Sequence, residues 1–151
     1  MSITLQEIKA QQTKLAEMIA AFDAQARTSI QFPEQLIELA SGEHYAGIII
    51  GKDGEQSYHL ILLPGDGGAV DWEDAKAWAK EQGGELPTRR EQSLLFANLK
   101  EHFESAWYWS SEQHPSDGGF AFYQHFGHGN QDYGSTYGEL RARAVRRLTI
   151  E

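Results

Sequence analysis

The first 30 residues carry the periodicity of an amphipathic helix. Residues 3–26 are rich in Ala, Gln, Leu and Glu and contain neither Gly nor Pro, a composition that favours a helix. The apolar side chains that recur along one side are Ile8, Leu15, Met18, Ile19 and Phe22. Three of them are seven residues apart, as in a short coiled-coil seam, and the polar Gln11 interrupts the seam.

Two interpretations of this helix remain open. Its apolar stripe can pack on its own domain, or it can bind further copies of the chain, with Gln11 setting the register. The second interpretation is favoured because an isolated helix of this length is marginal unless its stripe finds a partner. We therefore expect self-association as a trimer or a dimer.

Beyond residue 30 the pattern changes to short strands and two further helices. Pro33 suits either a first helical turn or an extended connector that runs towards Gly42. Residues 45–50 and 57–63 are strand-like and are joined through Asp53-Gly54, a turn signal, so they predict a β-hairpin.

Both later helices have clear N-terminal signals. Asp71 is placed to cap a helix over residues 72–80, which carries two Trp residues on one face. Thr88 is placed to cap a helix over residues 89–102, with Glu91 at the reciprocal capping-box position. Strands are then predicted at 107–111, 120–126 and 141–148, separated by polar surface loops at 113–119 and 127–138. The predicted class is α+β, with a helix in residues 1–30 and one domain in residues 31–151.

Three motifs follow one another in a recognisable order. They are Leu86-Pro87-Thr88 with Glu91, then Tyr108-Trp109-Ser110-Ser111, then Arg143-Ala144-Val145-Arg146. In this order the chain resembles the Lcl C-terminal domain family over about residues 44–148. The resemblance implies a C-type-lectin-like domain, which is a small twisted antiparallel sheet with two flanking helices. It also implies a binding surface on the late loops and a gene carried by a phage or prophage, since many members of the family are so carried.

Composition and charge exclude several functions. The chain has no cysteine, which excludes disulfides, thiolate metal sites and cysteine nucleophiles. Its net charge of −9 repels phosphate backbones and disfavours nucleic acid as the main partner. No stretch is apolar enough to cross a membrane and the N-terminus lacks a secretion signal, so we expect a cytoplasmic protein of a bacterial host, or one packed into a virion assembled there.

Catalytic constellations are weak in this sequence. His114, His125, His128 and Asp132 have metal-ligand side chains, but no helix fixes their geometry, and polar residues in a glycine-rich segment more often face solvent or a partner. Ser110 and Ser111 lack the nucleophile elbow of a hydrolase and are interpreted as strand-end hydroxyls. We predict neither a metal nor another cofactor, and no enzymatic activity.

Four arginines near the C-terminus form the one basic patch. They are Arg141, Arg143, Arg146 and Arg147. The favoured interpretation is that a buried or half-buried arginine pairs with a helix carboxylate such as Glu91, and the alternative is a nucleic-acid contact.

The late loop and its flanking strand have the composition of a binding surface. The predicted ligand-binding residues are Tyr123, His125, His128, Asn130, Gln131, Asp132, Tyr133, Ser135 and Tyr137. Tyrosine offers a large amphipathic contact at low entropic cost, and the small polar residues adapt around it. The sequence thus predicts a non-catalytic binding protein that presents this loop to a protein or a glycan. The alternatives are an intracellular inhibitor or regulator of a host enzyme or defence system, and a metal-dependent enzyme that uses His125 and His128.

Overall fold

The computed structural model describes residues 2–26 and 28–150, and the chain divides into two compact units, Met1–Pro33 and Glu34–Glu151. The first unit contains the predicted helix, α1 (Leu5–Ala26). Thr4 caps it, since its Oγ1 accepts the Glu7 N–H at 3.2 Å while the Glu7 carboxylate accepts the Thr4 N–H. Every side chain of α1 is exposed, including the whole apolar stripe.

The second unit contains two helices and two small sheets. Its elements are β1 (His44–Ile49), β2 (Tyr58–Leu62), α2 (Trp72–Glu81), α3 (Arg89–Leu99), β3 (Trp107–Gln113), β4 (Phe120–His125), β5 (Gln131–Ser135) and β6 (Val145–Thr149). One antiparallel sheet has the order β1-β2-β6 and the other β3-β4-β5. The predicted α+β class is therefore confirmed. Within the described residues, no helix combines the length and apolar character needed to span a bilayer.

The signals for the hairpin and the helix caps are confirmed. β1 and β2 pair antiparallel, and in their connection Asp53 and Gly54 adopt left-handed φ values of 55° and 87°. Asp71 caps α2 by accepting the Asp74 N–H at 2.9 Å. Thr88 and Glu91 form both hydrogen bonds of the predicted capping box at the start of α3.

Segment 34–43 is a connector, the second alternative for the chain after Pro33. No regular helix forms there, and its polar groups bond to the neighbouring sheet. Arg146 donates to the Glu38 carbonyl at 2.9 Å and to the Glu43 carboxylate, while the Gln35 side-chain oxygen lies 3.3 Å from His59 Nε2. The Glu38 carbonyl thus accepts a hydrogen bond from Arg146, whereas in a helix it would accept one from a backbone N–H of the same helix.

The late segments differ from the prediction in three places. Residues 131–135, predicted as part of a loop, form β5, which pairs with β4 in a register that sets Tyr133 opposite Phe122. The α-helix of α3 ends at Leu99 and continues as a 3₁₀ turn over Lys100–His102. The last strand begins at Val145 rather than 141, and Arg141 contributes only an isolated bridge to Tyr108. The sequence of β5 does not predict a strand, because it is polar and contains Gly134. It forms a strand because it pairs with β4.

Two buried clusters hold the second unit together. One lies under α2, where Trp72 and Trp109 are buried and their indole N–H groups donate to the Ser110 and Val70 carbonyls at 2.8 and 2.9 Å. The other lies under α3, which packs against β1, β3 and β4. The helix α3 therefore connects the two sheets.

The motif residues behind the family resemblance are mainly structural. Leu86, Tyr108, Trp109, Ser110 and Val145 are buried. Arg143 is also buried and donates to the carbonyls of Leu63, at 2.9 Å, and His102. The predicted partner of Glu91 was an arginine of the C-terminal patch, and the residue that pairs with it is Arg147, which lies just outside the motif.

The buried carboxylate of Glu91 accepts four hydrogen bonds. Arg147 donates Nε and Nη2 to its two carboxylate oxygens at 2.6 and 2.8 Å, Tyr58 donates its hydroxyl at 2.6 Å, and the Thr88 N–H donates at 2.8 Å. Burial raises the pKa of Glu91, but hydrogen bonds from Arg147, Tyr58 and Thr88 outweigh it and hold the pKa below its ordinary value. Burial and the adjacent Glu91 carboxylate raise the pKa of Tyr58 to about 12.

We expect Glu91→Gln to destabilise the protein by about 3 kcal/mol or more, because it leaves the half-buried Arg147 without its main counter-charge. The measurement is the free energy of unfolding in urea. Glu73→Gln is the matched control, since this carboxylate is 74% exposed in its pair with Lys76 and should change stability by less than about 1 kcal/mol. Equal effects of the two changes would contradict the structural role of Glu91.

Acid should destabilise the protein through Glu91 and Glu43 together. Hydrogen bonds from Arg146 lower the pKa of Glu43 despite partial burial, so both carboxylates have folded pKa values below the ordinary value of 4.5. Their stabilisation is therefore complete above 4.5 and is lost as the pH falls through the lower folded values. Urea unfolding between pH 7 and pH 3 should show this decline, and it should be shallower in a Glu91→Gln/Glu43→Gln variant. The same slope in both proteins would refute this assignment.

Candidate functional site

A cleft of about 600 Å³ opens at the start of α3. The residues that line it are Ile49, Gly51, Glu55, Tyr58, Thr88, Arg89, Arg90, Ser93, Glu112 and Gln131. We call it the α3 cleft. Its walls come from both sheets and from the first turn of α3, and Gln131 is the one residue of the predicted binding surface among them.

Protein groups already occupy backbone donors at this helix terminus. The Glu91 N–H donates to Thr88 Oγ1 at 3.2 Å, and the Arg89 N–H donates to the Glu112 carboxylate at 2.6 Å. A ligand in the α3 cleft would consequently meet side chains, chiefly Arg89 and Arg90, rather than these two N–H groups.

Arg89 is held in one orientation. Its Nε donates to Gln131 Oε1 at 3.0 Å, and its guanidinium carbon lies 3.9 Å from the centre of the Phe122 ring. The side chain is half-buried. Within residues 2–26 and 28–150, its two terminal nitrogens bond to no protein group. Arg89 therefore offers a fixed pair of donors at the cleft.

A chain of buried amides positions Gln131. Gln131 Nε2 donates to Gln124 Oε1 at 2.7 Å and to the Arg89 carbonyl at 2.8 Å. Gln124 Nε2 donates to the Gln92 carbonyl at 3.2 Å, and Gln92 Nε2 donates to the Tyr108 carbonyl at 3.0 Å. Gln92 and Gln124 are fully buried and have lost their hydrogen bonds to water. The bonds within this chain offset that loss, because a buried amide without a hydrogen bond is destabilising.

Next to Arg89 lies a group of aromatic rings, His114, Phe120, Phe122 and Tyr133, which we call the aromatic face. The rings of His114 and Phe122 are stacked with centroids 5.6 Å apart, and Tyr133 lies 4.5 Å from His114 and 5.7 Å from Phe122. Tyr133 is 47% exposed and the other three are half-buried. Phe122 joins this face to the α3 cleft through its contact with Arg89.

Other predicted residues lie on the opposite face of the same sheet. Because side chains alternate along β4, Tyr123 and His125 point away from Phe122. Both pack edge-on against Trp107, at 4.8 and 5.0 Å between centroids, and His125 stacks on His128 at 4.7 Å. The predicted surface is thus divided between two faces.

The remaining predicted residues make local contacts. Asp132 Oδ1 accepts the Tyr133 N–H at 2.8 Å, and Ser135 Oγ accepts the Tyr137 N–H at 3.2 Å. The Asn130 carbonyl accepts the His125 N–H at 2.9 Å. Tyr137 is 86% exposed in the turn after β5. These residues shape the end of the sheet and leave one free tyrosine beyond it.

The histidines do not assemble a multi-ligand metal site. His125 Nδ1 accepts the Gly127 N–H at 3.0 Å, so that nitrogen is engaged within the turn. In the part of the chain that the structure describes, no three His, Asp or Glu side chains converge as metal ligands do.

Sequence reasoning missed Arg89, Arg90, Phe120, Phe122 and Gln124. A usable signal for three of them existed in the alternation of β4, where Phe120, Phe122 and Gln124 share one side. Arg89 and Arg90 carried no such signal, since charged residues in a first helical turn usually face solvent.

No model of a known protein family matches this chain, and no curated protein matches it. The function must therefore be argued from the geometry of the site itself.

Proposed function

We propose that this chain is a non-catalytic binding protein that presents the aromatic face and the adjacent α3 cleft to a protein or glycan partner. The observation that carries this proposal is the contact of Arg89 with Phe122, which makes one continuous surface of a fixed cation, partly exposed rings and a cleft. Tyrosine, other aromatic residues and arginine are the residue types that contribute most to binding energy at protein interfaces.

The rigidity of this surface supports binding. Arg89 is held by Gln131 and Phe122, and Tyr133 is held by neighbouring rings, so little side-chain entropy remains to be lost when a partner docks. Both main-chain groups of Tyr133 already have partners, because Asp132 accepts its N–H and the Tyr123 hydroxyl donates to its carbonyl. Recognition would therefore use side chains rather than addition of a strand to the edge of β5.

A C-type-lectin-like fold of the Lcl C-terminal domain type is part of this proposal. It is supported by the two small antiparallel sheets with α2 and α3 packed on them, and by the structural positions of the three motifs. We further propose that the protein is encoded by a phage or prophage and acts in the host cytoplasm or in a virion.

Self-association through α1 completes the proposal. The apolar side chains of its stripe are between 45% and 69% exposed, so a second or third copy could bury them all at once. Their burial would supply the packing that an isolated helix lacks.

Replacing Tyr133 by Ala should weaken partner binding at least about tenfold, because it removes the exposed ring at the centre of the aromatic face. The partner would first be captured from a bacterial lysate or on a glycan array, and its affinity then measured by calorimetry. Tyr137→Ala is the matched control, since this tyrosine is more exposed but lies outside the aromatic face. Unchanged affinity of the Tyr133 variant would refute the proposed surface.

A Leu15→Asp/Phe22→Asp variant should sediment as a monomer, because charge in the stripe of α1 prevents its burial between copies. Thr13→Asp/Ala24→Asp introduces the same charges on the opposite side of the helix and should retain the wild-type mass. Analytical ultracentrifugation of the full chain distinguishes these outcomes. Identical masses for wild type and both variants would rule out assembly through the stripe.

A further inference from the structure

Arg89 and Arg90 form no ion pair among residues 2–26 and 28–150, unlike Arg141, Arg146 and Arg147. Arg90 Nη2 donates to the Ile50 carbonyl at 2.9 Å at the rim of the α3 cleft. Arg89 uses Nε for Gln131 and one face of its guanidinium plane for Phe122, and its two terminal nitrogens bond to no group among residues 2–26 and 28–150. A guanidinium fixed in this way is pre-organised for bidentate hydrogen bonds to a planar oxyanion.

The charges around the α3 cleft favour a carboxylate over a phosphate as the bound anion. Its lining contains two arginines, Arg89 and Arg90, and two glutamates, Glu55 and Glu112. The Glu112 carboxylate accepts the Arg89 backbone N–H, so its charge is held at the start of α3, in the lining of the cleft. A phosphate dianion would be repelled by these two glutamates and by a chain of net charge −9, whereas a singly charged carboxylate is repelled less.

Apolar surface lies on both sides of these arginines. Ile49 and Tyr58 line the cleft, and Phe122 with Tyr133 begins the aromatic face on the far side of Arg89. A ligand that places a carboxylate on Arg89 would therefore bring its adjoining carbon skeleton against apolar groups.

We infer that the α3 cleft is a carboxylate anchor for an acidic segment of a protein partner, in which an Asp or Glu side chain pairs with Arg89 and a neighbouring apolar residue packs on the aromatic face. Arg90 adds a second positive charge at the rim. This inference rests on the proposed binding function and narrows its partner from a protein or glycan to an acidic, partly apolar peptide surface.

The probe is 3-phenylpropionate, which joins one carboxylate to one aromatic ring, and its neutral control is 3-phenylpropionamide. Titration of each into the full-length ¹⁵N-labelled protein is followed by NMR on the Arg89 Nε–H and on the backbone amides of Gln131 and Tyr133. We expect saturable shifts at millimolar 3-phenylpropionate, with at least tenfold weaker binding of the amide. Raising the salt concentration should also weaken binding of the acid.

Variants test the role of Arg89. Arg89→Gln should abolish the shifts of the Gln131 and Tyr133 amides, and Arg89→Lys should weaken binding severalfold because a point charge lacks the bidentate fork. Arg141→Gln is the matched control and should bind as wild type does, since Arg141 pairs with Asp66 and does not line the cleft. Two variants at position 89 are used so that a folding defect in one, visible as lost spectral dispersion, does not end the test.

Three results would overturn the inference: no saturable shift with the acid, equal binding of acid and amide, or tighter binding of phenyl phosphate than of 3-phenylpropionate. Failure of this inference is separable from failure of the proposed function. If a captured partner loses affinity with Tyr133→Ala but not with Arg89→Gln, the aromatic face binds and the carboxylate anchor is refuted.

Discussion

One buried carboxylate determines where the start of α3 lies. Glu91 closes the capping box with Thr88, accepts two hydrogen bonds from Arg147 of β6, and accepts the hydroxyl of Tyr58 from β2. Removing a carboxylate from water costs several kcal/mol, and the cost is offset only when its oxygens are fully bonded in good geometry. The four donors meet this condition because they come from a helix cap and two strands, so any shift of α3 along the sheet would break several of them.

The geometry of the site follows from that constraint. Arg89 precedes Glu91 by two residues, so the buried pair places its backbone on the sheet of β1, β2 and β6. Gln131 and Phe122 then fix its side chain to the other sheet. The α3 cleft lies where residues of both sheets, Tyr58 and Gln131 among them, adjoin the first turn of α3. In a framework of this kind the side chains of the binding surface are already ordered, so little side-chain entropy is lost when a partner binds.

Local signals were sufficient for part of this architecture, and the site required more. The capping box of Thr88 and Glu91, the Asp71 cap and the Asp53-Gly54 turn depend on residues within a few positions of one another, and all appear as predicted. β5 and the amide chain depend on pairing across the sheet, where Gln124 and Gln131 become neighbours by register. The register between two distant strands cannot be read from either segment alone. For this reason composition was enough to propose Gln131 as a binding residue, but its hydrogen-bond partners Gln124 and Arg89 were missed.

The contacts of each arginine distinguish those that stabilise the fold from the one that is placed to bind a partner. Arg141 pairs with Asp66, Arg146 with Glu43, and Arg147 with Glu91 and Glu85, while Arg143 is buried against two carbonyls. Because these four cations are engaged within the protein, the C-terminal patch offers little charge to a phosphate backbone. Arg89 has a different environment: Gln131 and Phe122 hold it, it lines the cleft, and its terminal nitrogens bond to no group among residues 2–26 and 28–150. The arginine best placed for recognition thus lies at the start of α3, although the sequence concentrates arginine near the C-terminus, between positions 141 and 147.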